Sequence, residues 1–190
     1  MPSPKLPRFA AFRHGFTLVE LVVVIILISI LATVAASRMT ERESFDARAL
    51  SEQLHTMLHY AQKLAVAQNR PVYVRLNGTS VALCFNGVAC AAADRVLHPL
   101  GKNSGLAATK SACNSDDAWY CEGFTAPLTV ALNPSITGFY FDALGKPYAL
   151  SDAYPSRNSS FASLNLTVQS GMPGASTVLT VEAESGYVHQ

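Results

Sequence analysis

Cys84, Cys90, Cys113 and Cys121 are the four thiols of the chain, spaced by 6, 23 and 8 residues. A structural zinc site needs tight Cys-x-x-Cys pairs, which this spacing lacks. Four cysteines allow three disulfide connectivities. Cys84–Cys90 and Cys113–Cys121 are favoured, because each closes a short loop rich in Gly, Asn or Asp. His55 and His59 stand four apart, so one helix face could carry both. A zincin would need Glu directly after the first histidine, where this chain has Thr56. They read as polar-face histidines, and no metal site is expected. No Gly-x-Ser-x-Gly elbow, P-loop or dinucleotide fingerprint occurs. The chain therefore reads as a protein without catalytic machinery or cofactor.

One further reactive group stands out by its surroundings. From Phe16 to Ala36 the chain reads FTLVELVVVIILISILATVAA, 21 residues whose single charge is Glu20. About 20 apolar residues at ~1.5 Å rise span the ~30 Å hydrocarbon core of a bilayer. A carboxylate in such a segment is costly and needs a partner, unless it snorkels to the nearby interface. Ahead of the run lie Lys5, Arg8 and Arg13 and no acid. That bias predicts a single-pass membrane protein with a cytoplasmic N-terminus and an exported C-terminal part. Export places the cysteines in an oxidising compartment, where disulfides are expected. An ordinary secretory signal is the rival reading, with Val34-Ala35-Ala36 before Ser37 as its cleavage site. Its apolar run would be too long and would not hold Glu20.

Charge bounds the partners. Of 14 basic side chains, removing Lys5, Arg8 and Arg13 leaves 11 against 13 acidic ones, a net of −2. The C-terminal third holds only Lys146 and Arg157. Neither figure suits multi-phosphate contact, so nucleic acid is not an expected partner.

These groups must be positioned by a long helix and a set of strands. After Ser37, Phe45, Leu50, Leu54, Met57, Leu58, Ala61, Leu64, Ala65 and Gln68 recur at spacings of three and four, one apolar helical stripe. Asn69 and Pro71 stop it. The divisions are thus a leader at 1–15, a membrane helix at 16–36, its amphipathic continuation at 37–70 and an exported β-rich domain at 71–190. Residues 72–76 and 79–85 flank Asn77-Gly78 as a hairpin. Residues 86–126 read as a long irregular region stapled by the disulfides, with 95–98 as a possible short strand. Further strand signals fall at 128–132, 136–142, 148–150, 162–169, 177–181 and 187–188, with a loop at 151–160 and a turn at 171–175. One helix followed by strands is an α+β plan, the helix covering one face of antiparallel sheet.

The basic leader, Gly15-Phe16-Thr17-Leu18-Val19-Glu20 and the unbroken apolar run resemble the class III signal of type IV pilins and type II secretion pseudopilins. That resemblance implies cleavage by a prepilin peptidase between Gly15 and Phe16 and N-methylation of Phe16. It also implies that Glu20 pairs with the new Phe16 amine of a neighbouring subunit during assembly. Phe141-Asp142-Ala143-Leu144-Gly145-Lys146-Pro147 resembles the FDxxGxP turn of the GspH/FimT group of minor pilins. The segments 65–72 and Glu184-Ser185-Gly186-Tyr187-Val188 are similar to that group as well. The length, paired cysteines and closing turn resemble the minor pilin of MSHA pili, MshC. The resemblance implies the pilin fold, a place in a pilus or pseudopilus, and as partners other major and minor pilins, the inner-membrane assembly platform and, before assembly, membrane lipid. Some FimT proteins bind DNA through a Gly-Arg-x-Arg motif, and this chain lacks it. Major pilins carry a helix-bending proline near the membrane boundary. Ser37 stands at the matching position, so a straighter helix is expected.

Overall fold

The computed structural model of the chain describes residues 17–171 and 176–190, and for 34–43 the backbone alone. The leader, Phe16 and most of the turn expected at 171–175 lie outside the described residues. The chain divides into two compact units, Met1–Met39 and Thr40–Gln190. Helical assignment is continuous through α1, Leu18–Gln68.

In the first unit, Leu18 to Leu31 present apolar side chains to the outside all round the helix, from Val24 at 38% to Leu18 at 80% exposure. The hydroxyls of Ser29 and of Thr33 just beyond it turn back on the backbone. Ser29 Oγ donates to Ile26 O at 2.7 Å and Thr33 Oγ1 to Ile30 O at 2.8 Å. Such back-bonding satisfies hydroxyls that hydrocarbon could not. No helix among the described residues is long and apolar enough to cross a membrane. The fully described stretch ends at Thr33, whereas the apolar sequence runs on to Ala36.

The second unit is built on the rest of α1. Ala47, Leu50, Leu54, Met57, Leu58, Ala61 and Ala65 form its buried stripe. Each large member contributes roughly 1.5–3 kcal/mol by leaving water. Phe45, expected to open this stripe, is 65% exposed, and Gln68 is exposed as well. Among the described side chains of α1, Ala47 is the first that is buried. The helix closes with Asn69 at φ +51°, Arg70 N–H donating to Ala65 O at 3.2 Å and Asn69 N–H to Val66 O at 3.3 Å. This six-to-one closure satisfies the last carbonyls before Pro71 takes over.

Two antiparallel sheets bury their inner faces on that stripe. The first has the order β3-β2-β1-β5-β6, from β1 (Val72–Leu76), β2 (Ser80–Cys84), β3 (Cys121–Gly123), β5 (Gly138–Phe141) and β6 (Pro147–Ala149). The second has the order β4-β7-β8-β9, from β4 (Thr129–Asn133), β7 (Leu164–Gln169), β8 (Ser176–Val181) and β9 (Val188–His189). Val72, Val74, Leu83, Phe139 and Phe141 of one sheet and Leu164, Leu166, Leu179, Val181 and Val188 of the other share a core with α1. The β1–β2 hairpin turns at Asn77-Gly78 with Gly78 at φ +81°. Asn77 Oδ1 holds the turn by accepting from Ser80 N–H at 2.8 Å and Thr79 N–H at 3.2 Å.

The region expected to be irregular is more ordered than its composition implies. It contains a 3-10 turn at Ala92–Asp94, a short helix α2 (Ala107–Ala112) and β3. Residues 95–98 make two isolated bridges, Cys84 to Arg95 and Leu97 to Trp119, instead of a strand. The region folds over the outer face of the first sheet. There Ala82, Cys84, Cys90, Cys113, Trp119 and Cys121 form a second buried cluster. This is why β2 is buried at all five positions while β7 alternates. A strand covered on both faces loses its polar alternation.

Candidate functional site

The N-terminal turn of α1 holds Glu20, the residue the sequence singles out. Thr17 precedes the helix, and its Oγ1 accepts from Glu20 N–H at 3.2 Å, while Thr17 O accepts from Leu21 N–H at 3.1 Å. Thr17 and Glu20 have the spacing of a capping box, which closes the exposed N–H groups of a helix start. Glu20 is exposed in that first turn, where the helix dipole favours an anion. Thr17 was legible as a helix cap from Thr-x-x-Glu spacing, a signal hidden beneath the apolar run. Gly15 and Phe16 lie outside the described residues.

Cys84 is bonded to Cys90 and Cys113 to Cys121, with Cα separations of 5.4 and 5.9 Å, and no cysteine is free among the described residues. Between the two bridges Trp119 is fully buried, its Nε1–H donating to Leu83 O at 2.9 Å. The guanidiniums of Arg75 and Arg95 lie 4.9 and 4.5 Å from its ring centre. Arg95 is paired with Asp116 at 2.7 Å. Burial, and then the nearby Arg95, lower the pKa of Arg75. Glu122, on β3, is buried as well. It accepts from Ser104 N–H at 2.9 Å, Ser104 Oγ at 2.6 Å and Thr109 Oγ1 at 3.0 Å. It thereby ties the loop before α2 to the sheet.

The two C-terminal turn motifs meet on one face of α1. In the first turn, Asp142 Oδ1 accepts from Leu144 N–H and Lys146 N–H, each at 2.9 Å, with Gly145 at φ +80°. In the second, Gly186 N–H donates to Glu182 O at 2.9 Å, with Gly186 at φ +66°. A Cβ on Gly186 would stand 2.5 Å from Gly145 O, so only glycine lets the turns touch. Gln62 Nε2 donates to both, to Gly145 O and Ser185 O at 2.9 Å each. Lys146 Nζ and Glu184 Oε2 bridge the outside at 2.8 Å.

One and two turns back along the same helix, His59 and His55 place their Nε2 atoms 3.1 and 3.3 Å from Val188 O. Their rings lie 4.6 Å apart, edge to face. Burial, and then the neighbouring His55, lower the pKa of His59. The expected polar-face histidines thus do have a task. With Gln62 they receive backbone carbonyls of the closing segment. Sequence reading passed over Gln62, which no motif marks. The spacing of 55, 59 and 62 on one helix face is the available signal.

Elsewhere, Tyr140 OH donates to Asp152 O at 2.7 Å beneath Tyr73, Tyr148 and Tyr154. Burial, then Tyr73, push its pKa up to about 12. Burial, then Glu122, push Tyr120 up to about 12 as well. Among the described residues no cluster of His, Cys, Asp or Glu could hold a metal ion. Arg157 stands exposed in the 151–160 loop.

Residues 11–36 match the prokaryotic N-terminal methylation motif. No curated protein matches the chain. Two crystal structures of the type IV minor pilin FimU from Pseudomonas aeruginosa (strain PAO1) are similar to it. One is 16% identical, covering 76% of this chain and 87% of that one, with a TM-score of 0.47. The other, in a different crystal form, is 17% identical, covering 75% and 90%, with a TM-score of 0.45.

Proposed function

We propose that this chain is a minor type IV pilin or pseudopilin of the GspH/FimT kind, with a structural role in filament assembly. The observation that carries the proposal is the methylation motif at residues 11–36, which takes in an unbroken apolar run whose one acid is Glu20. On this reading the chain is made as an inner-membrane precursor with its N-terminus in the cytoplasm. A prepilin peptidase cuts between Gly15 and Phe16 and methylates Phe16. The helix then leaves lipid to bundle with the helices of other major and minor pilins at the assembly platform. Thr17 as a cap supports this order of events, because it starts the helix immediately after the cut and keeps Glu20 in the first turn.

Glu20 is the group this reading uses. In lipid its carboxylate is costly. A neighbouring subunit, staggered along the filament, brings the cation that offsets the cost, the amine released at Phe16. The second unit presents its sheets to neighbours or to the outside, and its role is not catalytic. The pilus served, MSHA or a type II secretion system among others, depends on surfaces that differ between such proteins.

Mass spectrometry of the mature N-terminus tests the proposal. N-methylated Phe16 is the expected species. A chain beginning at Ser37 would replace the proposal with ordinary secretion, and an intact Met1 with a simple membrane anchor.

A further inference from the structure

Two sheets have four edges, and an exposed edge is a template for another strand unless something occupies it. Three of the four are occupied by side chains of this protein. At β3, Thr109 Oγ1 lies 3.2 Å from Gly123 N and 3.4 Å from Gly123 O. At β6, Asp152 Oδ2 accepts from Ala149 N–H at 3.2 Å and Ser159 Oγ donates to Pro147 O at 2.7 Å. At β9, His55 and His59 reach Val188 O. The fourth edge, β4, is as long as any of the others and is bare. Among the described residues its backbone pairs with β7 alone.

Its sequence does nothing to discourage pairing. No charged residue occurs between Glu122 and Asp142, so β4 lacks the lysines that commonly blunt edges. Pro127 and Pro134 flank it and limit the open stretch to its own length. Beside it runs a groove of about 580 Å³, lined by Val130 and Leu132 of β4, by Leu76 to Gly78 of the β1–β2 turn, and by Val88 and Ser135 to Thr137. The one ionisable residue lining it is Arg75. That guanidinium has the ring of Trp119 and the hydroxyl of Ser80, at 3.2 Å, but no carboxylate within ion-pair distance among the described residues.

We propose that β4 is a docking edge for an extended segment of another polypeptide, which adds as a further strand, fills the groove with alternate apolar side chains and sets a carboxylate against Arg75. A strand supplies the alternating N–H and C=O groups that the edge offers, which a helix or a flat surface cannot. Alternate side chains of an added strand fall on one face and so enter the groove together. A carboxylate reaching Arg75 would give a forked, charge-assisted contact and fix the direction of the strand.

The test uses the full-length protein in detergent micelles and a short fluorescent peptide of alternating threonine and valine ending in glutamate. Saturable binding is expected, with slowed amide exchange confined to β4 and the 135–137 segment. The same peptide N-methylated at alternate backbone nitrogens keeps its side chains but cannot pair, and should not bind. Arg75→Gln should weaken the glutamate peptide by about tenfold, which is ~1.4 kcal/mol, and leave a glutamine-ended peptide unchanged. Arg75→Lys, which keeps the charge beside Trp119, should recover part of the loss. Equal binding of the N-methylated peptide, protection elsewhere, or no saturable binding would overturn the proposal. So would self-association of the protein that Ala131→Lys abolishes, which would make a second copy the occupant.

Discussion

Gln62 is placed to hold two turns with one amide, and its loss should be felt beyond its size. Gln62→Ala leaves Gly145 O and Ser185 O without their donor. Ser185 is exposed and its carbonyl can turn to water, but Gly145 is buried, and an unsatisfied buried acceptor costs about 1–3 kcal/mol. The expected outcome in a thermal melt is a Tm lower by roughly 3–8 °C, given the size of the domain. His59 sets a pH dependence. Its folded pKa lies below the usual 6.5, because burial and His55 disfavour the charged form. The unfolded chain therefore binds the proton more readily, so the stabilisation is complete above the unfolded pKa and is lost as pH falls through and below about 6.5. His98, also lowered chiefly by burial, acts with the same sign. Melts at about pH 7.5 and about pH 5 should show the acidic loss, and His59→Gln, which can still donate to Val188 O, should reduce it. A loss of the same size in that variant would assign it elsewhere.

At the scale of elements, the two disulfides act as the fastening of one covering layer. The loops they close are short, so each removes limited entropy from the unfolded chain, about 2–3 kcal/mol. Their larger effect is to keep the 85–120 region over Trp119 and the outer face of β2. Replacing Cys113 and Cys121 together with serine should lower stability by about that amount. It should also red-shift Trp119 emission as water reaches the ring, the only tryptophan in the chain. An unchanged spectrum would mean that Glu122 and α2 hold the cover unaided. Composition concealed this layer. Ala, Gly, Asn and Ser dominate the region, and the residues that order it, Trp119, Glu122 and Thr109, are spread singly among them. By contrast α1 and the Asn77-Gly78 hairpin were legible, since each rests on a local period or a local turn. Phe45 shows the limit of periodicity, which sees an apolar residue in register but not whether anything packs on it. Gln62, His55 and His59 show another, because their partners are backbone atoms more than 80 residues away.

For the whole molecule, the proposed role turns on one carboxylate. Glu20→Ala is expected to leave the precursor membrane-inserted and cleaved, since it removes a charge from the apolar run. It should be missing from sheared filaments, because the partner for the Phe16 amine is gone. Immunoblots of membrane and filament fractions decide the matter, and normal incorporation of the variant would remove Glu20 from the assembly mechanism. In the first unit, the helix and its outward apolar side chains from Leu18 to Leu31 were legible from the unbroken apolar run. The bare edge of the second unit was not, because it depends on which sheet edge the rest of the chain leaves uncovered.

The closing strand also governs when this protein can become itself. Val188 O meets His59 and His55 across 129 and 133 residues of chain. The helix is synthesised first, and the acceptor that its two imidazoles share arrives only with Val188. Contacts of such span carry a loop-closure cost that must be met before they reward it. On the proposed reading, in which this unit is exported, the chain would cross the membrane without this contact and close it afterwards. A chain stalled or truncated shortly before Val188 would hold nearly every residue of the core and still lack the latch. It should be cut by added protease faster than a chain that contains Val188.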